Sequence, residues 1–222
     1  MRANIYSLES LTVEKNNAVT ESIEMVVAYM GNVVTTKECR LRGLTLSPDG
    51  KVDPARIGLS KLDKLVELHL MAVPLKPGED ERLGIAGIGQ GWGFVDSSDD
   101  RPAVIRSTTS HEVAHAFGFV IPGAIQEDKE SSFHCCDEDC IMYKCALTRI
   151  REETPLTSLL KKIAGSIPGL RQSPAHKTVS HHIHSQYDFC LSCKIDLRDK
   201  ADEHLSALRL ARVVTQRKIK WR

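Results

Sequence analysis

Apolar residues recur along the first part of the chain with the period of a helix. Between Ser10 and Met30, the positions Val19, Ile23, Val26, Val27 and Met30 fall three or four apart, and Gly31 follows where such a helix would stop. The period then shortens. Cys39–Leu46, CRLRGLTL, alternates in part, as a half-buried strand does. Ser47–Pro54, SPDGKVDP, is a turn cluster, and Arg56–Leu65 predicts a short helix. Val66–Leu75, VELHLMAVPL, combines length with apolar density and predicts the principal strand.

Lys76–Glu81 is polar and reads as a loop. Five glycines then fall between Gly84 and Gly93 in LGIAGIGQGWGFVDSS. A phosphate-cradling loop would need a lysine and a clear following helix, which GIGQGWG lacks, so the glycines predict a tight turn between two short strands. After the loop SSDDRPAV, the segment AVIRS (Ala103–Ser107) reads as a last strand before a helix over Thr108–Phe117. Beyond Met142 the pattern is less regular. Leu156–Ile167 and Arg198–Val214 have helical character, with loop-like PGLRQSPAHKTVS between them. There are no internal repeats. The 222 residues predict a mixed α/β fold in a single domain, 1–222, with an α/β part over about 1–118 and a less regular part over about 119–222.

Composition narrows the partners more than the fold. Hydrophobic residues at 41% and charged residues at 27% are ordinary for a globular chain. A formal net charge of +1 predicts no nucleic-acid partner, and the basic end RLARVVTQRKIKWR brings no aromatic platform with it. The longest apolar candidate, MVVAYM at Met25–Met30, is far below the ~18 residues needed to span a bilayer. The N-terminus shows no signal-peptide pattern. A cytoplasmic protein with no membrane partner is therefore expected, and in that compartment the seven cysteines are more often metal ligands or free thiols than disulfides.

The chemistry concentrates after Ser110. In HEVAH, His111 and His115 lie four apart and so share one face of a helix, where both can bind one ion. Glu112 stands beside the first of them, placed to act on a water without ligating the metal itself. Gly118 follows three residues after His115, where a helix can end. Cys135 and Cys140, with the pair Cys190 and Cys193, could supply four thiolates from separate loops to a closed tetrahedral zinc site. Cys136 is a rival to Cys135, and Cys39 and Cys145 are left over.

These residues, HEVAHAFG, then HC, then Cys140 with Met142 in CIMY, then CxxC, resemble the archaemetzincin family of zinc peptidases, whose pattern is HExxHxxGxxHC, four residues, CxM and a later CxxC. The resemblance implies a metzincin-like zincin domain: a mixed, mostly parallel twisted sheet, an active-site helix and a smaller, irregular, zinc-stabilised C-terminal part. It implies a catalytic zinc on His111, His115 and His134, Glu112 as general base, a structural zinc on Cys135, Cys140, Cys190 and Cys193, and a methionine turn at Met142. Hydrolysis of a peptide or protein substrate follows as the expected function. An edge strand near Trp92–Ser97 or Ala103–Ser107 would pair with extended substrate.

The spacing departs from that pattern. Ile121 stands where the third histidine is due, and fifteen residues separate Gly118 from His134 where the family has two. One of His181, His182 and His184 in HHIH is an alternative third ligand. A rival reading is a zinc-stabilised interaction or regulatory module with a degenerate peptidase site.

Overall fold

The computed structural model describes residues 1–42, 46–57, 63, 65–76, 83–120, 123–137, 139–143, 188–199 and 201. In chain order these give β1 (Arg2–Ser7), α1 (Val13–Tyr29), β2 (Thr35–Arg40), a 3-10 turn at Pro54–Arg56, β3 (Leu68–Val73), β4 (Gly84–Gly87), β5 (Trp92–Asp96) and α2 (Pro102–Ala116). A third helix, α3, covers 191–199. The strands form one sheet in the order β2-β1-β3-β5-β4. All pairings are parallel except β4 with β5. No helix of the described residues is long and apolar enough to cross a membrane.

β3 is the centre of the sheet, and all six of its residues are buried. Leu68, Leu70 and Ala72 face the helices, packing with Ile5 and Val95, with Val19, Ile23, Val26 and Val27 of α1, and with Ile105 and Val113 of α2. Met71 and Val73 face a smaller cluster with Val52, Leu75 and Phe94. A strand covered on both faces reads as a continuous apolar run, which is why this one is legible in the sequence. The buried apolar residues of the C-terminal part, among them Ile141, Met142, Phe189 and Leu197, continue the larger cluster.

Thr12 starts α1, its side chain accepting a hydrogen bond from Lys15 N at 3.3 Å. Where α1 meets α2, the buried Ser22 hydroxyl lies 3.0 Å from the carbonyl oxygen of Arg106.

Several expected elements are corrected. β1 was not visible in the pattern: it is six residues long and only Ala3 and Ile5 are buried. The strand expected at 39–46 lies earlier, at Thr35–Arg40, because parallel pairing with β1 sets its register from Arg2 opposite Thr35. It is an edge strand with no buried residue, so its sequence carries little period. AVIRS is not a strand. It is the first turns of α2, which starts at Pro102, where the missing N–H costs nothing. Consequently neither proposed substrate-pairing strand is an edge: β5 lies between β3 and β4, and 103–107 is helical, leaving β4 as the edge beside α2. The expected helix at 56–65 falls mostly outside the described residues, as does 156–167. The closing helix expected from Arg198 begins earlier, as α3, and the rest of it lies outside them too.

The glycine-rich segment is a hairpin turn, as expected, and it has a second task. Gly89 N donates to His115 O and Gly91 N to Ala116 O, both at 2.9 Å, so the turn is hydrogen-bonded to the last carbonyls of α2. Gly91 has φ of +72°, and a Cβ there would sit 2.5 Å from Glu67 O. Gly91→Ala is therefore expected to lower stability by about 1–3 kcal/mol, measured by thermal or urea unfolding. An unchanged midpoint would show that the turn yields without cost.

Candidate metal centres

Helix α2 carries His111 and His115 on adjacent turns and ends in a motif that matters for both chain direction and chemistry. Gly118 N donates to His115 O at 2.8 Å and Phe119 N to Ala114 O at 3.0 Å, with Gly118 at φ of +92°. This is the glycine-terminated helix end in which the chain doubles back over its last turn. The reversal brings the Phe119 carbonyl to His115, whose Nδ1 lies 2.7 Å from it. Nδ1 of His111 lies 2.7 Å from the carbonyl of Ile141, and Nδ1 of His134 lies 3.1 Å from that of Ser132 and 3.1 Å from the Ser131 hydroxyl. A carbonyl can only accept, so Nδ1 carries the proton in each ring and Nε2 keeps its lone pair.

One nitrogen from each of His111, His115 and His134 lies within 4.8 Å of the others. The ring centroids are 4.6, 5.3 and 5.1 Å apart. Burial, reinforced by the neighbouring imidazoles, holds His111 well below its ordinary pKa and lowers His115 to about 4. Both rings are thus neutral at physiological pH, the state in which imidazole ligates a metal. Three imidazole nitrogens whose rings are oriented through Nδ1 fit the protein share of a catalytic zinc site. The expected alternative, His181, His182 or His184, lies outside the described residues.

Glu112, the residue after His111 on α2, is buried. A Cβ on Gly84 of β4 would lie 2.6 Å from Glu112 Cγ and 2.7 Å from Oε1, and one on Gly93 of β5 would lie 3.7 Å from Glu112 Cβ. The carboxylate therefore occupies space that β4 leaves empty by having no side chain there. Sequence reasoning took both glycines for turn formers and missed this. The hint was their position inside strand-like segments, where glycine marks a close approach.

The second cluster gathers one sulfur each from Cys135, Cys140, Cys190 and Cys193 within 4.8 Å. Cys135 is buried within it, whereas Cys136 is exposed and outside, and Cys39 stands on β2. Backbone amides point at the sulfurs: Cys190 N to Cys140 Sγ at 3.3 Å, Asp137 N to Cys135 Sγ at 3.4 Å, Met142 N to Cys140 Sγ and Cys193 N to Cys190 Sγ at 3.5 Å. Hydrogen bonds from the Cys135 and Cys193 thiols, with two backbone amides, lower Cys140 to about 5. Those same sulfur contacts hold the Cys193 and Cys135 thiols up, and burial raises Cys190. Four sulfurs, three of them buried, with amides oriented toward them fit a closed tetrahedral zinc site.

With this geometry in hand, solved structures offer a comparison. Archaemetzincin from Methanopyrus kandleri superposes with a TM-score of 0.52 over 93% of this chain and 96% of that one, at 15% identity. The fold is that of an archaemetzincin. A zinc-dependent peptidase from Methanocorpusculum labreanum gives a TM-score of 0.50 at 16% identity, over 88% of this chain and 100% of that one. No protein-family model and no curated protein matches the sequence.

In this version of the archaemetzincin fold the two clusters share parts. His134 and Cys135 are consecutive, one in each cluster. Residues 140–143 form a turn closed by Tyr143 N to Cys140 O at 2.9 Å, in which Met142 is fully buried. That turn gives a sulfur to one cluster and the carbonyl that orients His111 to the other. Ile141 N is held by Asp188 O at 3.0 Å, and the Asp188 carboxylate binds Tyr29 of α1 at 2.7 Å and Lys194 of α3 at 2.5 Å. Cys140→Ser is accordingly expected to remove the thiolate-held metal, lower thermal stability, and weaken metal binding by the histidines as well. Cys39→Ser should do none of these. Metal analysis with thermal unfolding checks this, and full affinity retained at the histidines would show the two centres to be independent.

Proposed function

We propose that this chain is a zinc-dependent peptidase with two zinc ions, one catalytic on His111, His115 and His134 and one structural on Cys135, Cys140, Cys190 and Cys193. The observation that carries the reading is the placement of Glu112. Its carboxylate is buried on α2, one residue after His111, and lies against β4 in room made by Gly84. The likeness to a zinc-dependent peptidase fold supports the same conclusion.

Among the described residues β4 is one of the two terminal strands of the sheet, with β5 on one side only. An extended peptide can add to its outer edge through main-chain hydrogen bonds, which position the substrate without regard to most of its side chains. Bound zinc supplies Lewis acidity, which acidifies water toward neutral pH and polarises a carbonyl oxygen. Glu112 accepts the proton of the attacking water and delivers it to the departing amide nitrogen, acting first as base and then as acid. Burial of the site excludes bulk water from that transfer. The carbonyls of Ile141 and Phe119 keep His111 and His115 in the tautomer that presents Nε2.

Two substitutions separate the base from the ligands. Glu112→Gln is expected to keep both zinc ions while turnover of a quenched-fluorescence peptide library falls by ~10²-fold or more. Gly84→Ala should leave metal content close to wild type, because the atoms an added Cβ would meet all belong to the Glu112 side chain beyond its Cβ, which must swing aside from Cγ outward. Turnover should nevertheless fall roughly 10–100-fold, as a displaced catalytic group costs rate out of proportion to the distance moved. Two zinc ions in wild type with no turnover would instead favour a non-catalytic zinc-stabilised module.

For the third ligand, His134→Ala should lose turnover and one zinc while the thiolate-held zinc stays. Activity surviving in that variant, and lost on replacing His181, His182 or His184, would reassign the ligand.

A further inference from the structure

The described residues between Gly118 and His134 make several hydrogen bonds around the backbone of the third histidine. The described part, 123–133, folds back on itself through Glu127 N to Ala124 O at 3.0 Å and Ser131 N to Asp128 O at 3.1 Å. It grips His134 directly: Asp128 N donates to His134 O at 2.7 Å, and His134 N donates to Ser131 O at 3.2 Å. Glu127 bridges to Cys135, and Cys136 N donates to Gln126 O at 2.8 Å. The buried Gln126 side chain is hydrogen-bonded to Asp196 of α3.

The residue immediately before His134 is in an unfavourable conformation. Phe133 has φ of +68°, and among the described residues it is the one non-glycine with positive φ. A bulky residue persists there only where its surroundings impose it. Its N–H is met by Glu127 Oε1 at 3.4 Å, while Oε2 of the same carboxylate accepts from Gly123 N at 2.6 Å. The carboxylate thus spans from the early part of the loop to the residue that sets the direction of His134.

We propose that Glu127 is a positioning residue for the third histidine: its carboxylate clamps 123 to 133, holds Phe133 left-handed, and so aims His134 at His111 and His115. Glu127 touches neither substrate nor the reacting atoms. It acts through His134, and the inference rests on the reading of the three histidines as a metal site.

Cobalt(II) titration of the metal-free full chain tests it, because thiolate-bound cobalt gives a sulfur-to-metal charge-transfer band that imidazole-bound cobalt lacks. Wild type should fill both centres. Glu127→Ala should weaken cobalt binding at the histidines by about 10–100-fold, the usual effect of losing a group that orients a ligand, while the charge-transfer titration is unchanged. Glu127→Gln should fall between, since its one remaining acceptor oxygen can serve one of the two N–H groups. Unchanged affinity at the histidines in Glu127→Ala, or equal losses at both centres, would overturn the proposal. A wild-type chain that binds only thiolate-held cobalt would refute the metal-site reading itself, and this inference with it.

Discussion

The hydrogen bond between His111 Nδ1 and the Ile141 carbonyl, 2.7 Å long, is where the regular and irregular parts of the chain become one site. A helix fixes where His111 and His115 stand but not which way their rings turn or which nitrogen carries the proton. Those choices come from carbonyls outside the helix: Ile141 for one ring and Phe119 for the other. The turn that offers Ile141 also offers Cys140, so the piece of backbone that orients one cluster is itself anchored by the other.

Glycine serves the site in two distinct ways. Gly118 provides the left-handed residue that ends α2, and the reversal delivers the Phe119 carbonyl to His115. Gly84 provides absence of volume, so that the edge strand and the Glu112 carboxylate can occupy adjoining space. The β4–β5 turn adds a mechanical link, because Gly89 and Gly91 cap the carbonyls of His115 and Ala116. Helix end, hairpin and carboxylate are therefore placed by shared contacts, and movement of the edge strand would be felt at the end of α2.

Some features were legible because their physics is local. The helical period of α1, its stop before Gly31, and the doubly buried run of β3 depend on residues near one another in sequence. The i, i+4 histidines of HEVAH carry their own geometry, provided the segment is helical. Failures occurred where neighbours came from elsewhere. Six residues of β1, half of them polar, become a strand because β2 and β3 pair with them on either side. AVIRS has strand-like composition, but Pro102 and packing against α1 make it helix.

The candidate site divides along the same line. By itself the sequence determined the donor types, the helical pairing of His111 with His115, the place of Glu112 between them, and the adjacency of His134 to Cys135. These follow from covalent order and the repeat of a helix. Only the tertiary structure decided that His134 lies with the helical pair across the eighteen residues that follow His115. It also decided that Cys135 and not Cys136 joins the four-sulfur cluster, and that Gly84 stands against Glu112. The physical reason is that each of these depends on which backbone amides and carbonyls meet across the fold, a quantity that residue types and spacing do not encode locally.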